Sequence, residues 1–135
     1  MPAQSSWVVI ESGFQSELDR LATAYPTAGV TNIERELNLI RGVDGICELI
    51  KQRLVGAKVD AVFMCSGYAP LTGRDYTSEG LDTLSALTYY GHMRVIANLF
   101  DSQTMSGNGK IADILAGTLE GKSFEDDLAL EHHEA

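Results

Sequence analysis

Four short apolar runs, Trp7–Ile10, Val30–Ile33, Ala61–Cys65 and Ile111–Leu115, punctuate the chain. Each is mostly continuous rather than alternating, the pattern of strands covered on both faces. Helical periodicity fills the intervals. Phe14, Leu18, Leu21 and Ala22 recur at helical spacing in the first, and Pro26 ends it. In the second, Val43, Ile46, Cys47, Ile50 and Leu54 form one face; Asp44 near the start and Lys51 and Arg53 near the end complement the helix dipole.

The third interval predicts a long helix over Ser78–Phe100, with Leu81, Leu84, Leu87, Val95, Ile96 and Leu99 as apolar positions and Ser78-Glu79 at its start. A loop, Gly67–Thr77, with Pro70 and Gly73, precedes it, and Asp101–Gly109 reads as a polar turn. Strand alternating with helix predicts an α/β, Rossmann-like three-layer sandwich of about four parallel strands with helices on both faces. The expected division is one partial domain, residues 1–135, with a core over 7–116 and a tail over 117–135.

Composition narrows the function classes. With 135 residues the chain has room for a single domain, and its 44% apolar share is enough for a core. A net charge of −9 argues against nucleic acid and anionic membranes, which need clustered Lys and Arg. Cys47 and Cys65 read as buried free thiols, and no apolar run reaches signal-peptide or membrane-span length. The expected setting is cytoplasmic.

The run Val59-Asp60-Ala61-Val62-Phe63-Met64-Cys65-Ser66-Gly67-Tyr68 resembles the fourth-strand segment of short-chain dehydrogenases/reductases, where a strand ends in an Asn-Asn-Ala-Gly type turn. Gly73-Arg74, Thr77-Ser78-Glu79-Gly80-Leu81-Asp82, Tyr89-Tyr90-Gly91-His92-Met93-Arg94, Asn98-Leu99, Leu115-Ala116-Gly117-Thr118, Glu120-Gly121-Lys122 and Asp126-Asp127-Leu128 resemble a divergent fungal branch of that family. The similarity runs from about Trp7 to Leu130. It implies an oxidoreductase ancestry, NADP or NAD as cofactor, and a setting in secondary metabolism.

The resemblance aligns the chain with the family from its second strand onward. The sequence contains no Gly-x-x-x-Gly-x-Gly and no Gly-x-Gly-x-x-Gly, the turn whose backbone approaches a pyrophosphate. The family's active-site Ser aligns with Ala116 and its helix Asn with Thr88, while its Tyr-x-x-x-Lys falls beyond Ala135. No Tyr with Lys four residues on occurs here. The expectation is a truncated relative that does not transfer hydride alone and binds cofactor weakly. The implied cofactor-binding residues are Glu36, aligned with an Asp that meets the adenine amino group, and Ser66 and Gly67, aligned with the Ala-Gly of the strand-ending turn; Met64 and Cys65 replace the two asparagines.

No member of the family's catalytic set is present, so the candidates come from a denser cluster, Tyr89, His92 and Arg94. On a regular helix Tyr89 shares a face with His92, and Tyr90 with Arg94, which suits a phenol and an imidazole as acid and base toward a small-molecule substrate. Arg74, Asp75 and Tyr76 stand as candidate rim residues. Glu131-His132-His133-Glu134 and Glu125-Asp126-Asp127 have the wrong spacing for metal sites, and no metal is expected. A cofactor-independent isomerase or cyclase and a non-catalytic accessory subunit stay open as alternatives.

The pattern also bears on assembly and strand order. The Ser78–Phe100 helix is apolar on more than one face, which predicts homo-oligomers through it. Lacking the family's central first strand, Trp7–Ile10 is expected to pair with both Val30–Ile33 and Ala61–Cys65, in the order 2-1-3-4. The rival outcome is a preserved gap between Trp7–Ile10 and Ala61–Cys65, filled by a strand from another chain.

Overall fold

In a computed structural model, the described residues are 6–9, 15–27, 29–33, 35–54, 56–67, 73–101 and 103–115. The elements are β1 (Ser6–Val9), α1 (Gln15–Ala24), β2 (Gly29–Asn32), α2 (Ile40–Arg53), β3 (Val59–Met64), α3 (Thr83–Ser85), a π-helical turn (Ala86–Tyr90), α4 (Gly91–Leu99) and β4 (Met105–Asp113). The predicted alternation is therefore present, and both pairings are parallel. The proposed loop residues 68–72, Ala116, the tail, and Phe14 and Ile10 lie outside the described residues.

The expected order 2-1-3-4 is not formed. β1 pairs with β2, Ser6 opposite Gly29 through Val9 opposite Asn32, and β3 pairs with β4 in a separate sheet. The helices account for the difference. α1 packs on β2, closing β1–α1–β2 on itself, whereas α2 packs against α4. Each strand is held by its own unit, and β1 has no second partner among the described strands. Nor is β3 covered on both faces among the described residues, because Phe63 is 67% exposed.

β4 begins earlier than the apolar pattern predicts. Val59 stands opposite Met105 but Ala61 opposite Lys110, so the segment between Met105 and Lys110 bulges out of the ladder. Gly109 makes this possible: a Cβ there would lie 2.7 Å from Met105 Cε and 3.1 Å from the Val59 carbonyl oxygen. Upstream, Asp101 turns the chain out of α4, accepting from the Gln103 and Thr104 amides and from the Thr104 hydroxyl, each at 2.8 Å.

The main core lies between α2, α4 and the strand ends. Val43, Ile46 and Cys47 are each 1% exposed and pack with Ile33, Ile50 and Leu99. This is the predicted α2 face. Asp44 does not serve the helix dipole as expected, because α2 starts earlier, at Ile40. Its carboxylate instead takes Arg94 in a forked pair, Nε to Oδ1 at 2.7 Å and Nη2 to Oδ2 at 3.0 Å, and accepts from Asn98 Nδ2 at 2.7 Å. These bonds hold the Asp44 carboxyl below its ordinary value.

The N-terminus of α2 is capped from a distance. Leu39 offers no side-chain cap; Glu79 accepts from the Ile40 amide at 2.6 Å and the Arg41 amide at 3.2 Å. Glu79 is thus absent from the start of the long helix, where Asp82 caps instead, accepting from the Ser85 amide at 2.9 Å. The rod begins at Thr83 rather than Ser78. Within it, Gly91 packs tightly: a Cβ would meet Ala86 O at 2.8 Å, Leu37 O at 3.4 Å and Val43 Cγ2 at 3.8 Å.

Both polar contacts of α2 can be tested through stability. Replacing Glu79 with Ala leaves the α2 amides uncapped and lowers unfolding free energy by about 1 kcal/mol; an unchanged urea midpoint would refute the cap. For Asp44, the folded-state pKa lies below the unfolded value of 3.8, so its stabilisation is complete above that value and is lost as pH falls through the lowered one. Because both partners are well exposed, the effect is about 0.5 kcal/mol. Asp44→Asn removes that part of the fall in stability between pH 6 and pH 3. Equal acid sensitivity in both proteins would contradict the assignment.

Candidate functional site

Parallel pairing puts the carboxyl ends of β3 and β4 at the same edge, with Met64 opposite Asp113. Ligands of open α/β sheets bind beyond this edge. Two residues past β3 comes Ser66, half-buried between exposed Cys65 and Gly67. From the connecting rod comes His92, 3% exposed.

The three side chains meet. Ser66 Oγ lies 2.7 Å from His92 Nε2, and His92 Nδ1 lies 2.9 Å from Asp113 Oδ1. An ionised carboxylate only accepts, so the proton of a neutral ring belongs on Nδ1 and Nε2 accepts from the Ser66 hydroxyl. Nδ1 and the carboxylate are close, yet the N–H is not aligned for a hydrogen bond and Nδ1 is otherwise unpartnered. The contact is electrostatic. Asp113 is about one-third exposed, which leaves its carboxylate room to rotate. Hydroxyl, imidazole and carboxylate in this sequence of contacts can move a proton off the hydroxyl and stabilise the imidazolium that results.

The π-helical turn bears on why the expected trio does not assemble. An added residue in a turn rotates the downstream residues relative to a regular helix. Tyr89 is 60% exposed and stacks edge-on with Tyr90 at 5.2 Å, whereas His92 is buried against the strand ends. Tyr89 and His92 therefore do not share an environment. The Arg94 guanidinium is occupied by Asp44. Of Tyr89, His92 and Arg94, only His92 enters the cluster.

The rim candidates also have structural roles. Asp75 accepts from the Thr83 hydroxyl at 3.2 Å, and Tyr76 bridges to Asp82. Both, with Arg74, are exposed. Glu36 is exposed and follows β2. Its carbonyl oxygen leaves no room for a Cβ at Gly42, which fixes the turn into α2. Gly67 is open, for a Cβ there would meet Thr88 Cγ2 alone, at 3.9 Å. Of the thiols, Cys47 is buried and its pKa is raised by burial, but Cys65 is exposed, contrary to expectation. An exposed residue after a strand is not distinguished from a buried one by an apolar run alone.

Asp113 escaped the sequence reading. Ser66, His92 and Asp113 are separated by 26 residues and then 21, beyond any local motif, and only the strand-end rule singles out Asp113. Among the described residues no three His, Cys, Asp or Glu side chains are placed to hold a metal, and no helix is long and apolar enough to cross a membrane.

No family model matches the chain. It is 36% identical over 120 residues to Oxidoreductase AN1596 of Emericella nidulans, covering 89% of this chain and 34% of that protein. It is 29% identical over 114 residues to Oxidoreductase andH of Emericella variicolor, covering 84% and 33%. A shorter match, 38% over 64 residues, covers 47% of this chain and 17% of Oxidoreductase lepF of Aspergillus flavus. The chain thus spans about a third of the length of the two curated relatives it matches most fully. Among solved structures, a Streptomyces avermitilis short-chain dehydrogenase superposes with a TM-score of 0.56 at 20% identity, over 82% of this chain and 49% of that one. A Serratia marcescens short-chain dehydrogenase/reductase mutant gives 0.55 at 15%, over 80% and 43%. The chain therefore shares the fold of short-chain dehydrogenases/reductases and, over most of its own length, is similar in sequence to fungal proteins named oxidoreductases.

Proposed function

We propose that the chain supplies the nucleoside side of the cofactor groove of a nicotinamide-dependent oxidoreductase, acting in fungal secondary metabolism. The carrying observation is positional. Glu36 follows β2, and Ser66 and Gly67 follow β3, all past carboxyl ends of parallel strands in a fold of this type. The residues fit a nucleoside in two respects. Gly67 leaves its backbone open to close approach, and Glu36 offers an exposed carboxylate that can accept from an adenine amino group. They fit the pyrophosphate poorly, since the sequence has no glycine-rich turn to cradle it. When bound, NADP or NAD supplies the hydride. These residues hold and orient its nucleoside end; the substrate is a carbonyl–alcohol pair on a small molecule.

NADPH or NADH is therefore expected to shift the amide resonances of Gly67 and Glu36 saturably, with a dissociation constant of about 0.1–1 mM. Glu36→Ala weakens this about threefold. No response at those amides at several millimolar of either cofactor would contradict the assignment. With no Tyr-x-x-x-Lys among its residues, the chain alone is expected to give no nicotinamide-linked turnover of simple carbonyls and alcohols. Turnover above a buffer control, with contaminants excluded, would overturn that part.

A second reading, an accessory subunit that self-associates through the long helix, has its own support. Tyr89, Tyr90, Met93 and Phe100 are all exposed on and just after the rod. Sedimentation at tens of micromolar is expected to show dimer, weakened by Tyr89→Ser with Met93→Ser. Monomer alone would remove this reading.

A further inference from the structure

We propose that Ser66, His92 and Asp113 form a nucleophilic site in which the Ser66 hydroxyl accepts an acyl group from an activated ester or thioester. Hydride transfer requires none of this arrangement, and the inference goes beyond the cofactor-groove reading.

A serine hydroxyl is a weak nucleophile unless a base takes its proton as it attacks. His92 Nε2, at 2.7 Å from Oγ, is within reach of that proton. The ring is buried, so water competes little for Nε2. On its other side the Asp113 carboxylate, 2.9 Å from Nδ1, favours both the tautomer with Nδ1 protonated and the imidazolium formed during attack. In this structure Nδ1–H is not aligned on the carboxylate, and the proposed step requires it to align as the ring becomes charged. Ser66 is half-buried at the carboxyl edge, beside a glycine with space around it, so an acyl carbonyl can approach along Gly67.

The step balances without an oxidant. Ser66 Oγ bonds to the acyl carbon as its proton passes to His92 Nε2. The bond from that carbon to the alkoxide or thiolate breaks, and the leaving group takes the proton from Nε2. Water, deprotonated by the same nitrogen, then cleaves the Ser66 ester, releasing the carboxylic acid and restoring the hydroxyl.

The alternative role is structural: a buried imidazole that merely pins the ends of β3 and β4. The two differ in one observable, covalent capture. Treated with diisopropyl fluorophosphate, the full chain is expected to gain one diisopropylphosphoryl group, which tandem mass spectrometry places on Ser66. Ser66→Ala, which changes a single oxygen, abolishes the adduct. His92→Gln slows labelling about a hundredfold, and Asp113→Asn, at a partly exposed position, slows it about tenfold. Circular dichroism monitors folding of each variant; if His92→Gln unfolds, Ser66→Ala and Asp113→Asn still decide. Hydrolysis of p-nitrophenyl acetate follows the same order. No adduct on Ser66, an adduct on exposed Cys65 instead, or a Ser66 adduct whose rate ignores Asp113→Asn in a folded protein would overturn the proposal. Both readings use the Ser66–Gly67 edge, but cofactor binding is read from amide shifts at Glu36 and Gly67 and needs no nucleophilic Ser66, so failure of covalent capture leaves the oxidoreductase reading standing.

Discussion

Parallel pairing of β3 with β4 is the constraint on which the rest of this structure depends. Two parallel neighbours cannot be joined by a tight turn, so the chain between Met64 and Met105 must cross back along the sheet. The crossing takes the form of a helical rod, which packs against α2 and builds the core of Val43, Ile46, Cys47 and Leu99. Pairing also places the carboxyl ends of both strands at one edge, and the rod lays His92 across them. Core and site therefore share a cause.

Polar contacts between distant segments then hold the rod in place. Asp44 ties α2 to Arg94 and Asn98, and Glu79, from the loop before the rod, closes the N-terminus of α2. Gly91 lets the helices approach at the site of the π-helical turn, one residue before His92. By contrast β1 and β2 form a separate two-stranded unit with α1. Two-stranded pairs are marginal by themselves, so the α2–rod core carries the larger share of stability.

Much of the frame was legible in the sequence. The four described strands overlap the apolar runs, and the α2 face follows from helical spacing because burial of one face imposes that period. Where reading failed, the deciding partner was far along the chain. Glu79 resembles an N-terminal residue of its own helix, but the donors it meets are the amides of Ile40 and Arg41. Arg94 looks available until Asp44 is seen beside it. Tyr89 and His92 are three apart, a spacing that promises one face only where the helix is regular. The polar, glycine-bearing stretch at Met105–Gly109 joins β4 through a register shift that composition does not signal. The family resemblance singled out Glu36, Ser66 and Gly67 but not Asp113.

At the centre of the site, His92 connects Ser66 to Asp113 through opposite ring nitrogens. Nitrogen-15 NMR of the imidazole, with proton correlations assigned through Ser66→Ala and Asp113→Asn, tests this most directly. The predicted result is that the neutral tautomer carries its proton on Nδ1, with the Nε2 resonance responding to Ser66→Ala and the Nδ1 resonance to Asp113→Asn. A ring protonated on Nε2, with both resonances indifferent to the two substitutions, would contradict it.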